Sequence, residues 1–190
     1  MEDTRTHILD TGRALTAQRG YTAVGLSELL KTAGVPKGSF YHYFPSKEAF
    51  GCALLDAYVA QYRKDLAQTL GAEGRPAAAR LLAYFECWRE RQMNANAEDK
   101  CLVVKLSAEI ADLSPDMRGI LNDGVARIVE RLANTMREGQ ADGSVNPALD
   151  PQRTATTLYQ IWLGASLMAK LSGTSDPFDQ AIASTQLLLA

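Results

Sequence analysis

Signals that end or begin helices recur along this chain at helix-sized intervals, and that spacing constrains the fold more than any other feature. Gly20, Gly34-Val35-Pro36, Pro45-Ser46, Gly71 to Arg75, Ser114-Pro115, Gly143 to Pro147, Asp150-Pro151, Ser172-Gly173 and Asp176-Pro177 divide the chain. Between them the apolar residues repeat at helical spacing, with no strand-like alternation. The spacing predicts helices over Thr4 to Arg19, Leu26 to Ala33, Lys37 to Phe44, and from a Ser46 cap to about Leu70. Pro76 opens a fifth, bearing Leu81, Leu82, Phe85 and Trp88. Asn94 to Asp99 reads as a polar loop and Lys100 to Ala111 as a helix. Three later helices share one entry signal, Ser or Asp at the N-cap and Pro in the first turn: Ser114-Pro115, Asp150-Pro151 and Asp176-Pro177. An all-α chain is expected: three short N-terminal helices, a connecting fourth, and a C-terminal bundle of about five.

With 190 residues, 46% hydrophobic and 22% charged, the chain can bury a sizeable core. The net charge of −2 gives no general attraction for nucleic acid, so any DNA-binding surface must come from where charges are placed. No apolar run reaches the roughly 20 residues that span a bilayer. The polar start does not resemble a signal peptide. A cytoplasmic protein with no membrane contact is expected, with Cys52, Cys87 and Cys101 as free thiols. The three cysteines, His7 and His42 match no metal-ligand spacing, and neither metal nor cofactor is expected.

Leu26 to Phe44 carries the functional signal. A helix-turn-helix needs glycine where its turn adopts a conformation costly for other residues, and Gly34 stands there. Ala33 is small where the helices touch, Val35 anchors the turn, and Pro36 starts the next helix without losing a needed N–H. Phe40 and Phe44, four apart, face inward. Lys37, Ser39, Tyr41, His42 and Tyr43 remain for DNA. Lys37 sits at the helix start, where side chains meet base edges, and lysine donates to guanine acceptors. Gly38 permits close backbone approach. Tyr41, His42 and Tyr43 can donate to phosphates, as can Lys47 at the start of the fourth helix. A glycine turn between two amphipathic helices is also a common hairpin that binds nothing. The exposed polar aromatics beside lysine and serine favour the DNA reading. Residues 1–48 hold six Arg or Lys against five acids, so affinity must come from two heads acting together.

Gly20-Tyr21, Ala33 to Phe44 and Ser46-Lys47-Glu48 together resemble the N-terminal signature of TetR-type repressors. The resemblance implies an all-helical homodimer with a DNA-binding domain over residues 1–47, bound to an inverted-repeat operator. It implies a regulatory and dimerisation domain over residues 48–190. Gly38, Tyr41, His42 and Lys47 match places that touch operator DNA in that family.

Leu158, Ile161, Trp162, Ala165, Leu167 and Met168, with Phe178, Ile182, Leu187 and Leu188 in the last helix, are apolar enough for both a core and a dimer interface. Cys52 and Cys87 lie among hydrophobic neighbours and read as buried, inert thiols. Cys101 follows a polar loop in the first turn of a helix, beside Lys100 and four residues before Lys105. Helix N-termini and cations favour thiolate, the reactive form. The residues alone leave a reactive thiol and a core cap equally open.

Cys101 to Met117, Leu158 to Lys170 and Leu26 to Gly51 further resemble the NemR branch of the family. That resemblance implies a repressor released by reactive electrophiles or oxidants at Cys101, with Lys170 acting beside it. Lysines near helix ends otherwise extend their amines to water. Cysteines of relatives are missing here, for example at Ala111, which leaves single-thiol chemistry as the simpler scheme. Two other functions compete. One is a repressor induced reversibly by a hydrophobic ligand in a cavity lined by Tyr84, Phe85, Trp88, Tyr159 and Trp162. The other, a thiol-dependent enzyme, lacks an acid–base partner, since no histidine lies beyond His42.

Overall fold

The structure, a computed structural model, describes residues 3–71, 74–94, 96 and 101–190. Lys100 and most of the loop expected from Asn94 to Asp99 lie outside the described residues. Nine helices and no strand occur among those described: α1 Thr4–Arg19, α2 Leu26–Ala33, α3 Lys37–Tyr43, α4 Lys47–Leu70, α5 Ala77–Met93, α6 Leu102–Leu113, α7 Pro115–Asp142, α8 Pro151–Ser172 and α9 Asp176–Leu189.

The boundaries follow from capping chemistry. Helix starts leave N–H groups without partners, and short polar side chains accept from them. Ser46 Oγ accepts from the Ala49 N–H at 3.0 Å, Ser114 Oγ from Met117 at 3.2 Å, and Asp150 Oδ1 from Arg153 at 2.9 Å. One expected cap is displaced. The N-cap of α9 is Ser175, and Asp176 already lies inside the helix. Asp and Pro both suit a first turn, so the pair marks the start of a helix without fixing which residue caps it.

The chain folds as two compact units: Met1–Gln61 with Asn94–Asp123, and Tyr62–Met93 with Gly124–Ala190. The first gathers α1 to α3 around the early part of α4, with α6 and the start of α7. Phe40, Phe44 and Phe50 have ring centroids 5.3 to 5.6 Å apart and are almost fully buried. A Cβ on Gly12 of α1 would lie 2.3 Å from Phe50 Cζ, so only glycine lets this ring sit against α1. The His7 ring N–H donates to the Ala33 carbonyl at 2.9 Å and ties α1 to the end of α2.

The second unit is built on Trp162. Its ring stacks on Phe85 and Phe178, at centroid distances of 4.8 and 5.8 Å. Buried indole N–H groups need acceptors. Trp162 Nε1 donates to Thr185 Oγ1 at 3.0 Å, and Trp88 Nε1 to Ser166 Oγ at 2.9 Å. The aromatic side chains proposed to line a ligand cavity are therefore mostly core: Tyr84, Phe85, Trp88, Tyr159 and Trp162 are all buried. The space between Tyr62, Tyr84, Cys87, Trp88 and Arg91 is about 20 Å³, room for one water. Helices α8 and α9 bury one face in this core. They expose Leu167, Met168, Leu171 and Leu187, the last at 80%.

Candidate nucleic-acid interface and thiol site

Gly34 closes α2 in the left-handed conformation, φ 65°, which asparagine or glycine tolerates best. The Val35 N–H then reaches the Leu30 carbonyl at 3.1 Å, so carbonyls at the end of α2 are satisfied within the turn. Pro36, at φ −70°, serves as N-cap of α3. That short helix keeps Phe40 fully buried. Lys37, Gly38, Tyr41 and His42 are exposed, while Ser39, Tyr43 and Lys47 are half-buried. The Lys37 amine lies 5.8 Å from the centre of the Tyr41 ring. A Cβ on Gly38 would meet nothing within 4 Å, so packing inside the chain does not require glycine there.

Behind this surface lies a latch that sequence reasoning missed. Lys47 Nζ sits 4.9 Å over the Tyr21 ring and donates to the Tyr21 carbonyl at 3.4 Å. Tyr21 Oη donates in return to the Lys47 carbonyl at 2.5 Å. Burial, with the negative groups Cys52, Glu48 and Glu109, pushes the Tyr21 phenol up to about 12, so it remains a donor at neutral pH. From α6, Glu109 accepts hydrogen bonds from the backbone N–H groups of Tyr21, at 3.2 Å, and Thr22. Gly20 makes this possible. Its φ is +92°, and a Cβ there would stand 3.0 Å from Glu109 Oε2. Lys105, one turn before Glu109, donates its amine to the Gln18 carbonyl at 3.3 Å. At the other end of α6, Ser114 Oγ donates to Glu48 Oε1 at 2.5 Å. Helix α6 thus grips both the α1–α2 loop and the start of α4. Gly20-Tyr21 and Ser46-Lys47-Glu48 stand out in the sequence, but on α6 the signal is no more than Lys105 and Glu109 four residues apart.

Cys101 is the N-cap of α6 rather than a first-turn residue. Its backbone is extended, φ −64° and ψ 117°, and the helix begins at Leu102. The half-buried Sγ accepts a hydrogen bond from Tyr58 Oη at 3.5 Å. The same Tyr58 oxygen accepts from the Leu102 N–H at 3.2 Å. Cys52 and Cys87 are half-buried rather than buried, because each lies on a helix face that its hydrophobic neighbours cover only partly. Burial and the acids Asp116, Glu48 and Asp56 push the Cys52 thiol up, toward its unreactive form. Lys170 is exposed in the last turn of α8.

The chain belongs to the TetR family of bacterial transcriptional regulators. A profile described as "Bacterial regulatory proteins, tetR family" matches residues 8–51, and one described as "Tetracyclin repressor-like, C-terminal domain" matches residues 77–185. The chain is 43% identical over 188 residues to the HTH-type transcriptional repressor NemR of Escherichia coli, covering 99% of this chain and 94% of NemR. It is 35% identical over 170 residues to the transcriptional regulator AcuR of Cereibacter sphaeroides, covering 90% and 78% of the two chains. The crystal structure of the reduced form of E. coli NemR superposes with a TM-score of 0.93 at 44% identity, over 100% of this chain and 98% of the other. The expected family and all-α helix-turn-helix architecture hold, and the chain is a TetR-family transcriptional repressor rather than an enzyme. Repressors of this family bind operator DNA and act as dimers. No helix among the described residues is long and apolar enough to cross a membrane.

Proposed function

We propose that this chain represses transcription in the cytoplasm as a homodimer on an inverted-repeat operator, and that reactive electrophiles or oxidants acting at Cys101 release it. The observation that carries the reading is the surface of α3. Lys37, Gly38, Tyr41 and His42 are exposed side by side, over a helix anchored by buried Phe40 and Phe44. Gly38 has no packing reason inside the chain, as expected where a backbone must approach another molecule. Residues 1–47 form the DNA-binding domain and 48–190 the regulatory and dimerisation domain. Lys37 reads a base edge, and Ser39, Tyr41, His42, Tyr43 and Lys47 hold phosphates. Lys47 must leave the Tyr21 ring to do so. Leu167, Met168, Leu171 and Leu187 form the apolar face that meets its copy in the partner subunit. The similarity to NemR, crystallised in a reduced form, supports thiol chemistry at Cys101, with Lys170 as the associated cation; the Lys105 amine, held by the Gln18 carbonyl, ties α6 to the end of α1 instead.

Footprinting on the DNA upstream of the protein's own gene tests this reading. Protection of two half-sites about one helical turn apart is expected, weakening steeply with salt and vanishing after treatment with N-ethylmaleimide. Absence of protection, or a protein that stays monomeric at micromolar concentration, would overturn it.

Lys37 and its neighbours should separate by role. Lys37→Ala should cost about 1–3 kcal/mol on the operator and much less on random DNA, because a base contact carries sequence information. Tyr41→Phe and Lys47→Ala should weaken both DNAs about equally, since phosphates are alike in every sequence. Titrations on the two DNAs in parallel check this. Equal losses for Lys37→Ala would remove its base-reading role.

A further inference from the structure

We propose that Tyr58 is the positioning residue of the Cys101 sulfur, a relay that conducts the positive end of α6 to the thiolate. The proposal rests on the reading of Cys101 as the reacting thiol. A backbone N–H can only donate, so the bond from Leu102 makes Tyr58 Oη an acceptor at 3.2 Å. The single phenolic proton is then directed to Cys101 Sγ, 3.5 Å away. Leu102 is the first residue of a 12-residue helix, and its N–H belongs to the positively polarised terminus. Donors in a chain polarise one another, so the hydroxyl that accepts from this N–H donates more strongly to sulfur. The guanidinium of Arg13 on α1 stands 5.9 Å from the centre of the Tyr58 ring and strengthens the phenol as a donor. Hydrogen bonds to the charged form of an acid favour that form. Tyr58 is buried and comes from α4, so its position is held by the core of the first unit.

The reaction that reports on this arrangement is addition to N-ethylmaleimide. The thiolate forms a carbon–sulfur bond at the ring double bond. The displaced electron pair moves onto the neighbouring carbonyl as an enolate, which takes a proton from water and leaves hydroxide. Thiolate fraction and intrinsic nucleophilicity pull the rate in opposite directions, because a less acidic thiol gives a more nucleophilic anion, with a Brønsted slope of about 0.4–0.5. Tyr58→Phe removes the donor and keeps the ring. The midpoint of the rate against pH should rise by about one unit. At pH 7 the rate should then fall about threefold, while the plateau at high pH should rise about threefold. A change in exposure alone would move both limbs the same way.

The experiment follows alkylation of the Cys101 peptide by mass spectrometry from pH 5 to 10 in the intact protein, for wild type, Tyr58→Phe and Arg13→Gln. Arg13→Gln leaves the hydroxyl in place and should shift the midpoint upward by less, which keeps the test open should Tyr58→Phe fold poorly. Unchanged midpoints, or parallel changes on both limbs, overturn the proposal. Operator release is measured separately. A shifted profile in a protein that keeps its operator after alkylation removes the sensing reading and leaves Tyr58 in its role. An unshifted profile in a protein that alkylation does release does the opposite.

Discussion

Cys101→Ser protein should bind its operator with wild-type affinity and keep it at N-ethylmaleimide or hypochlorite concentrations that strip the wild type from DNA. The thiol belongs to the N-cap residue of α6, the helix that also holds the α1–α2 loop through Glu109 and Lys105. An adduct at Sγ occupies the place where Tyr58 and the first N–H of α6 now meet. Taking an operator-bound population from 99:1 to 1:99 requires about 5.5 kcal/mol of difference between states. A covalent adduct can supply much of it, since it cannot dissociate to relieve the clash. Serine suits the N-cap position and offers a hydrogen-bonding oxygen but lacks the thiolate nucleophile. Cys52→Ser should respond like wild type, because burial and surrounding acids hold the Cys52 thiol in its protonated form. Cys87→Ser should respond likewise. Release curves by fluorescence anisotropy, with and without reagent, check the set. If Cys101→Ser is released as readily as wild type, a reversibly bound inducer takes the place of thiol chemistry.

The second large effect is expected at Glu109. Hydrogen bonds to charged groups contribute about 1.5–3 kcal/mol each, less where solvent reaches them, as it does at this half-buried carboxylate. Glu109→Ala removes two acceptors from the Tyr21 and Thr22 N–H groups. A net loss of about 1–2 kcal/mol from the docked loop should appear as roughly tenfold weaker operator binding and faster exchange of those two amides. Acid should act on the same contact. Burial pushes this carboxyl upward, but the bonds from Thr22 and Tyr21, with the Lys105 amine, outweigh it, and the group ends below its ordinary range. A carboxyl lowered on folding contributes stability above its unfolded value, and that contribution is lost as pH falls through the folded one. The Tyr21 and Thr22 amides should therefore stay protected at neutral pH and lose protection below the ordinary carboxylate range. Amide exchange followed by nuclear magnetic resonance in wild type and Glu109→Gln reads this directly. Identical acid profiles in the two proteins would show that Glu109 is not the group responsible.

What could be read from the sequence was what local chemistry encodes. Gly34, Gly173, Ser46, Ser114 and Asp150 announce helix ends because a cap is satisfied within a few residues of its own position. The inward turn of Phe40 and Phe44 follows from their spacing alone. Contacts across long separations leave no such mark. Tyr58 and Cys101 are 43 residues apart, and Thr22 and Glu109 are 87. Glu109 reads in sequence as one more acid on a solvated face. Lys105 was expected to serve Cys101 because four residues place two side chains on one helix face. A four-carbon stem reaches well beyond its own turn, however, and the free carbonyl of Gln18 near the end of α1 takes the amine. The aromatic residues of the second unit could have lined a cavity or filled a core, and helical spacing cannot distinguish the two. Burial decides the matter for Trp162 and Trp88, whose indole N–H groups find the hydroxyls of Thr185 and Ser166.

The uninterrupted run of α6 bears on timing. Twelve residues at 1.5 Å each make a rod of about 18 Å, with Cys101 at one end and the Glu109 carboxylate two turns along. No glycine or proline interrupts it, so nothing along its length can absorb a displacement. Collective helix motions take microseconds to milliseconds, whereas the reaction of a thiol with an electrophile slows in proportion as the electrophile is diluted. The delay before derepression should therefore scale inversely with electrophile concentration, with no concentration-independent lag. A cell carrying this protein would register exposure to an alkylating electrophile as accumulated dose, each such adduct persisting until the repressor is replaced or diluted by growth, whereas oxidation of the thiol to the sulfenic level is reversible.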